Sequence, residues 1–442
     1  MKSTYFFKSI LAVAFLALAS CKASIDTIVP NKGNADFSRY IAIGNSLTSG
    51  YADGGLYLDG QKNSFPEMLA AQMKSVGGGS FATPFFTDAQ ANGSGYVKLT
   101  GFNPNGTPII ATETSNLAIR GQVAMPGFGN VTLYTKYAGE INNYGVPGIK
   151  LMQVNYAPYG NLNGYFERLL PGNAGSNNTT YLDFVTAKPY TFFSMWLGNN
   201  DILGYASSGG AGDVPTPKAD FTALYNATVN KLVAKGAKGV VATIPDVTKT
   251  PYFNTVTLTS LLAAVRATAA GAAVTTLYIK TGANVTRAAT TADLFTLTLS
   301  SANVIGVPNA GIPYGLHPLN PIETKWVLDK DEVLLVNDYV NAYNTTIKSV
   351  AAAKGLALMD AFEMLKEYSA TDANGKTIGK AVNGAMVSSS FITGNLFSLD
   401  GVHLTPMGYA ITANAFIKAI NTTYKSSIPT VDVTKYRGVK FP

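Results

Sequence analysis

Two segments far apart in the chain carry the residue types that acyl-transfer chemistry requires. Segment 400–403, Asp-Gly-Val-His, places a carboxylate three residues before one of only two histidines. At this spacing Asp400 can reach the Nδ1 atom of His403, fix its tautomer and leave Nε2 free to take a proton. Ser46, in segment 44–48 (Gly-Asn-Ser-Leu-Thr), could supply that proton. Alone, each segment also fits a structural role, since serine and aspartate are both common helix caps.

Two further segments could stabilise a negative charge that develops on a carbonyl oxygen. Segment 198–201, Gly-Asn-Asn-Asp, follows an apolar run, and an asparagine there can point its amide at an oxyanion. Segment 142–148, Asn-Asn-Tyr-Gly-Val-Pro-Gly, ends in a glycine that lets a backbone N–H approach a ligand closely. Taken separately, both segments are equally typical of turns.

In this order, the four segments resemble the conserved blocks of the SGNH (GDSL-type) hydrolases, a family of lipases and esterases, from Tyr40 to about Tyr424. The resemblance implies that Ser46 is the nucleophile, with His403 as general base and Asp400 orienting it. It also implies an oxyanion hole formed by the Ser46 N–H, the Gly148 N–H and the Asn200 amide, with Gly145 as a less favoured choice than Gly148. The family usually has aspartate where this chain has Asn45. No cofactor is implied.

The surrounding pattern alternates short apolar runs with segments of helical spacing. Strands are predicted at 40–43, 190–197, 239–244 and 356–359, and helices at 65–73, 221–234, 327–353 and 405–424. This alternation predicts an α/β fold, a three-layer α/β/α sandwich with a central, mostly parallel sheet of about five strands. The resemblance adds that the arrangement is flavodoxin-like.

Four parts of the chain are expected to lie outside this regular alternation. Residues 1–20 have the positive start and short apolar run of a lipoprotein signal peptide, ending before Cys21, the only cysteine. Residues 21–37 are predicted to be a tether, 38–425 the hydrolase domain, and 426–442 a C-terminal tail. Insertions are predicted at 76–137 and 256–316. For the second insertion, a structural elaboration is favoured over a cap on the site.

Lipidation of Cys21 would anchor the protein stably to a membrane. We therefore expect export and anchoring to a bacterial membrane, with the outer membrane favoured and either its periplasmic or its surface face possible. The net charge of +7 is not gathered into a dense basic run, which disfavours nucleic-acid binding. Two histidines and one lipidated cysteine disfavour a metal site, and His317 is expected to be a surface or packing residue.

Together these patterns predict a serine esterase or lipase that hydrolyses carboxylic esters, with lipid or other acyl esters favoured as substrates. The two insertions are expected to determine substrate choice. One alternative is a carbohydrate esterase that removes acetyl groups from glycans. Another is a binding lipoprotein on the same scaffold without activity. Oligomeric state is left open by the sequence.

Overall fold

A five-stranded parallel sheet forms the centre of the molecule. The computed structural model describes residues 29–442 except positions 105 and 374, so the predicted signal peptide and Cys21 lie outside the described residues. The sheet strands are β1 (Tyr40–Gly44), β2 (Asn143–Gly145), β3 (Phe192–Trp196), β4 (Lys238–Ala242) and β5 (Ala357–Met359). Their spatial order is β5-β4-β3-β1-β2, and every neighbouring pair is parallel.

Helices cover both faces of this sheet, because the side chains of each strand alternate between two hydrophobic cores. Ile41, Phe193 and Val241 face one core, which also contains residues of the helices Lys218–Val233 and Lys330–Lys354. The side chains of Ala42 and Phe192 enter the opposite core, with the helices Phe65–Met73 and Pro406–Tyr424. The predicted three-layer α/β/α sandwich is therefore confirmed.

The remaining helices have at most nine residues and lie mainly in the connections between these layers. The α-helices among the described residues are Ser46–Ser49, Leu58–Lys62, Phe65–Met73, Tyr159–Leu162, Gly164–Leu169, Tyr181–Thr186, Asn200–Ser207, Lys218–Val233, Pro251–Asn254, Leu258–Arg266, Leu297–Ala302, Lys330–Lys354, Ala361–Tyr368 and Pro406–Tyr424. Single 3₁₀ turns occur at Lys74–Val76, Asp88–Gln90, Leu151–Gln153, Val247–Lys249, Ala269–Gly271, Thr324–Trp326 and Val433–Lys435. In the described part of the chain, no helix is both long and apolar enough to cross a membrane.

The first predicted insertion, 76–137, contains two antiparallel hairpins. Strand Tyr96–Phe102 pairs with Pro108–Glu113, and strand Ile119–Met125 pairs with Gly129–Tyr134. A buried ion pair network ties this region to the sandwich, since the fully buried Glu167 carboxylate lies 2.9 Å from Arg120 and 2.6 Å from Lys136. A charge buried this deeply is stable only when paired, so the network fixes where the insertion attaches.

The second predicted insertion, 256–316, has a small hydrophobic core of its own, formed by residues such as Leu277, Phe295 and Ile322. Its two-stranded ladders join Tyr278–Lys280 to Thr286–Ala288, Leu294–Phe295 to Val327–Leu328, and Pro308–Asn309 to Ile312–Pro313. The core therefore extends about a dozen residues past the predicted end. A separate short hairpin pairs Lys380–Val382 with Ala385–Val387.

Both ends of the described chain pack against the sandwich. Phe37 is 1% exposed, and its ring lies 4.9 Å from that of Phe192 in an edge-on contact. Asn31 bonds to Ser427, and Val433 is buried in the same core. The packed body thus begins earlier than the boundary predicted at residue 38, and the predicted C-terminal tail is part of it.

We predict that Phe37→Ala will lower the free energy of unfolding by about 3–5 kcal/mol, because it leaves a cavity in the core. Urea denaturation followed by circular dichroism measures this difference. Val29→Ala is the control, since Val29 is 77% exposed and its truncation should cost less than about 0.5 kcal/mol. Equal effects of the two substitutions would show that residues before 38 do not contribute to the core.

Candidate active site

Ser46 lies at the first position of a one-turn helix, directly after the carboxyl end of β1. The side chain of Asn45 caps this helix by accepting a hydrogen bond from the Leu47 N–H at 3.1 Å. Gly44 allows the tight turn, because a Cβ atom there would lie 2.0 Å from the Thr48 hydroxyl oxygen. The turn presents Ser46 at the edge of the sheet where ligands of parallel α/β sheets gather.

The structure brings Ser46, His403 and Asp400 together. The Ser46 hydroxyl oxygen lies 2.8 Å from His403 Nε2. On the other side of the ring, His403 Nδ1 lies 2.8 Å from Asp400 Oδ2. With the histidine as proton acceptor at Nε2, this geometry allows the serine to become a nucleophile and the carboxylate to stabilise the resulting imidazolium.

The Asp400 carboxylate is saturated with hydrogen bonds. Burial acts to raise the pKa of Asp400. The charge of His403, the hydrogen bonds from the His403 ring and backbone N–H, and the hydrogen bond from the Val402 N–H lower it by more. The pKa of Asp400 is therefore held well below its usual range. The Oδ1 atom accepts from the backbone N–H groups of Val402 at 2.9 Å and His403 at 2.8 Å, and Oδ2 accepts from the Gly54 N–H at 2.8 Å. Asp400 is consequently ionised at neutral pH.

Tyr51 supports the imidazole from one face, a contact that sequence reasoning missed. Its ring centroid lies 4.5 Å from that of His403, with the planes tilted by 45°. Tyr51 is itself held at both ends, since its hydroxyl donates to the Gly54 carbonyl and its carbonyl accepts from the Tyr409 hydroxyl. A ring packed at this distance restricts the orientation of the imidazole. A tyrosine five residues after Ser46 carries no distinguishing signal in the sequence.

Asn200 begins the helix Asn200–Ser207, which follows β3. One hydrogen of its amide donates to the Ile149 carbonyl at 3.0 Å, which orients the group and leaves the second hydrogen for a ligand. Asn200 lines the same cleft as Ser46 and His403. The predicted oxyanion asparagine therefore lies where its remaining amide hydrogen can serve that cleft.

The structure also distinguishes between the two candidate glycines. Gly145 lies in β2, and its N–H is already used in a 3.0 Å bond to the side chain of Asn143. Gly148 is exposed and has a φ of +84°, and its N–H donates no hydrogen bond to any described residue. It precedes Ile149, the partner of Asn200, although it is not among the residues that line the cleft. Of the two, only Gly148 has a free donor.

Asp201, next to Asn200, holds the segment after Gly148. Its carboxylate accepts the Leu151 N–H at 2.6 Å, the Met152 N–H at 3.3 Å and the Thr216 hydroxyl at 2.6 Å. Burial raises the pKa of Asp201 to about 6, against the effect of these hydrogen bonds. Asn200 and Asp201 thus fix one short segment through its carbonyl and its N–H groups. The sequence interpretation gave Asp201 only a turn role.

An apolar cleft, open to solvent, contains the candidate site. Apart from Ser46, His403 and Asn200, most of its lining is hydrocarbon. The lining includes the apolar residues Trp196, Ala361, Met364, Leu365, Leu396 and Phe397 and the polar residues Asn45, Asn199 and Thr250. Among the described residues of the insertions 76–137 and 256–316, none lines this cleft. The expectation that the insertions determine substrate choice finds no support in this lining.

The second histidine is remote from this arrangement. His317 is exposed, and its Nδ1 accepts the Leu319 N–H at 3.1 Å within its own turn. The described residues contain no group of three or more histidine, cysteine, aspartate or glutamate side chains arranged to hold a metal ion.

Comparisons with known proteins show which family the chain matches. The model of the GDSL-like lipase/acylhydrolase family matches residues 40–416. A comparison with curated proteins finds no match. Similar solved structures include a putative lipolytic protein of the G-D-S-L family from Desulfitobacterium hafniense, which is 10% identical with a TM-score of 0.32, the alignment covering 86% of this chain and 97% of that one.

Two other solved structures are similar at the same level. A putative GDSL-like lipase from Parabacteroides merdae is 11% identical with a TM-score of 0.33, covering 89% of this chain and 99% of that one. The acetyl xylan esterase AlAXEase is 13% identical with a TM-score of 0.29, covering 62% of this chain and 78% of that one.

We predict that Asp400→Asn will lower kcat by about 10⁴-fold, because the amide favours the wrong imidazole tautomer. The pKa of Asp400 is lower in the folded than in the unfolded state. Ionised Asp400 therefore stabilises the fold at pH values above its unfolded-state pKa, and this stabilisation is lost as the pH falls through the folded-state pKa. The variant should therefore lose less stability than the parent between about pH 5 and pH 2. Steady-state kinetics and thermal unfolding across pH measure both effects. A variant with the kcat of the parent would contradict this role.

We also predict that Asp201→Asn will lower kcat by up to about 10²-fold with little change in KM, because its amide cannot accept both backbone N–H groups and the Gly148 segment shifts. Asp213→Asn is the comparison, since the partly exposed Asp213 carboxylate binds the side chain of Lys150 and accepts the N–H of Val214, but accepts neither the Leu151 nor the Met152 N–H. An equal loss in both variants would indicate a general structural effect. Kinetics with one ester, checked by circular dichroism, separate the two outcomes.

Proposed function

Since the chain belongs to the GDSL-like lipase/acylhydrolase family and is a serine hydrolase acting on ester bonds, it must have a nucleophilic serine. We propose that Ser46, His403 and Asp400 form its catalytic triad. The observation that carries the proposal is the pair of 2.8 Å contacts that His403 makes with Ser46 and with Asp400. A binding protein without activity has no need of a serine in contact with an oriented imidazole.

The proposed reaction is a two-step acyl transfer. The Ser46 oxygen attacks the ester carbonyl while His403 Nε2 accepts its proton, and the tetrahedral intermediate collapses as His403 protonates the leaving alcohol. A water molecule then attacks the acyl-enzyme, gives its proton to His403 and releases the carboxylic acid as Ser46 regains a proton. Asp400 stays ionised and stabilises the imidazolium in both steps.

We assign the oxyanion hole to the Ser46 N–H, the Gly148 N–H and the second amide hydrogen of Asn200. Ser46 occupies the first position of its helix, where a backbone N–H has no partner within the helix. Gly148 has a free N–H, and the Asn200 amide is oriented by its bond to Ile149. Each donor of this kind is typically worth about 10²–10³ in rate.

The preferred substrate is an ester with an apolar acyl chain. The cleft beside Ser46 has a lining of mostly hydrocarbon, which gains free energy by burying a hydrocarbon chain and offers few partners for hydroxyl groups. An acyl anchor on Cys21 would hold the enzyme at a bacterial membrane, where such esters are abundant. Removal of acetyl groups from glycans is the other outcome that a substrate comparison would reveal.

The decisive variant is Ser46→Ala, for which we predict a loss of about 10⁶-fold in kcat on a short nitrophenyl ester. Labelling by a fluorophosphonate probe should disappear in the same variant. Ser75→Ala is the control, because Ser75 is an exposed serine outside the cleft. Undiminished turnover in Ser46→Ala would overturn the assignment, and a parent protein that takes no label would support the inactive binding protein instead.

A further inference from the structure

One face of the helix Ala361–Tyr368 forms a wall of the cleft. Ala361, Met364 and Leu365 all line it, and their spacing of three and four residues places them on the same side of a helix. The helix follows β5 directly, so it lies at the same edge of the sheet as Ser46. From this placement we infer that Met364, on this face, sets the length of the acyl chain that the enzyme accepts. This inference rests on the proposed function.

The wall is fixed by polar contacts at the start of its helix. Asp360 caps it by accepting the Glu363 N–H at 3.2 Å, and the same carboxylate binds the Thr243 hydroxyl at 2.9 Å and Lys348 at 2.8 Å. Thr243 directly follows β4 and Lys348 lies in the helix Lys330–Lys354. The helix is therefore held by two neighbouring elements, and a rigid wall can discriminate chain length.

The polar amide side chains of the lining adjoin the reacting groups, and this placement orients the substrate. The polar lining residues Asn45 and Asn199 adjoin Ser46 and Asn200, so the polar end of the cleft coincides with the reacting groups. Their buried amide nitrogens have no hydrogen-bond partner within the described residues. The hydroxyl of Thr250 is satisfied by the Val247 carbonyl. The ester group belongs at the polar end and a hydrocarbon chain at the end lined by the helix.

This polarity places the acyl part of the ester in the cleft. Leu396 and Phe397, both nearly fully buried, and Trp196 complete the lining with the helix face. The alcohol part of a lipid or glycan ester carries hydroxyl groups, which would lose hydrogen bonds to water without finding partners there. The alcohol must also leave before the acyl-enzyme is hydrolysed, which a path to solvent allows.

Met364 differs from its two neighbours on this face. Ala361 and Leu365 are buried in the core, whereas Met364 is partly exposed in the cleft. Its side chain is unbranched and flexible, so it can be shortened without leaving a sealed cavity. Met364 is therefore the residue at which the length of the cleft can change while the fold persists.

The test measures kcat/KM for nitrophenyl esters whose acyl chains lengthen from acetyl while the alcohol stays constant. Each methylene that enters the cleft should raise kcat/KM about fourfold, the equivalent of about 0.8 kcal/mol. The parent should then reach a limiting length. In Met364→Ala this limit should lie about two or three methylenes further, because the substitution removes most of an unbranched side chain. In Met364→Trp it should lie at shorter chains.

Met386→Ala is the matched control, since Met386 is 59% exposed and does not line the cleft, and its profile should follow that of the parent. Thermal unfolding checks that each variant is folded. Profiles for both Met364 variants that coincide with the parent would overturn the inference while Ser46-dependent hydrolysis leaves the proposed function standing. A second series lengthens the alcohol on one constant acyl chain, and a limiting length that shifts with the alcohol in Met364→Ala would also overturn the inference. Absence of Ser46-dependent hydrolysis at every length would overturn the proposed function itself.

Discussion

The arrangement of the site depends on how one largely buried carboxylate, that of Asp400, is satisfied. Asp400 uses Oδ1 to accept two backbone N–H groups of its own loop and uses Oδ2 for His403 and for the Gly54 N–H. A buried charge with fewer partners would cost several kcal/mol or become protonated. Satisfying Asp400 therefore joins the loop before the last helix to the loop after Ser46. The serine and the histidine, 357 residues apart in the chain, come into contact as a consequence.

The parallel sheet explains why the other groups converge on the same place. Each strand runs in the same direction, so the segments that follow β1, β2, β3 and β5 all begin at one edge. Ser46, Gly148, Asn200 and Ala361 each belong to such a segment. Asn200 and Asp201 then tie the segment after β2 to the helix after β3. The sheet brings these segments close together, and the hydrogen bonds of Asn200 and Asp201 fix the position of the segment after β2 relative to the helix after β3.

The strands β1 and β3 were predictable from the sequence, because a strand that is buried on both faces is a nearly continuous run of apolar residues. Ser46, His403 and Asp400 were predictable because their residue types and order are distinctive together. The contacts of Tyr51 and Asp201 were not, because a tyrosine stack and a buried aspartate depend on chain segments far away in sequence. The packing of Phe37 and Val433 was not predictable either, because it also depends on contacts with segments far away in the sequence. Which residues line the cleft also follows from tertiary packing alone, so the role expected of the insertions in substrate choice stays a prediction.

Asn45 shows how the site limits its buried charge. The family usually has aspartate at this position, and in this chain the Asn45 side chain caps the helix that carries Ser46. The cap needs only one oxygen, which Asn45 supplies to the Leu47 N–H as an aspartate would. A carboxylate here would add a second negative charge close to the site, because Asp400, behind His403, is already ionised. Because Asn45 is 1% exposed, that charge would be costly, and the neutral amide keeps the cap while leaving the cleft suited to an apolar chain.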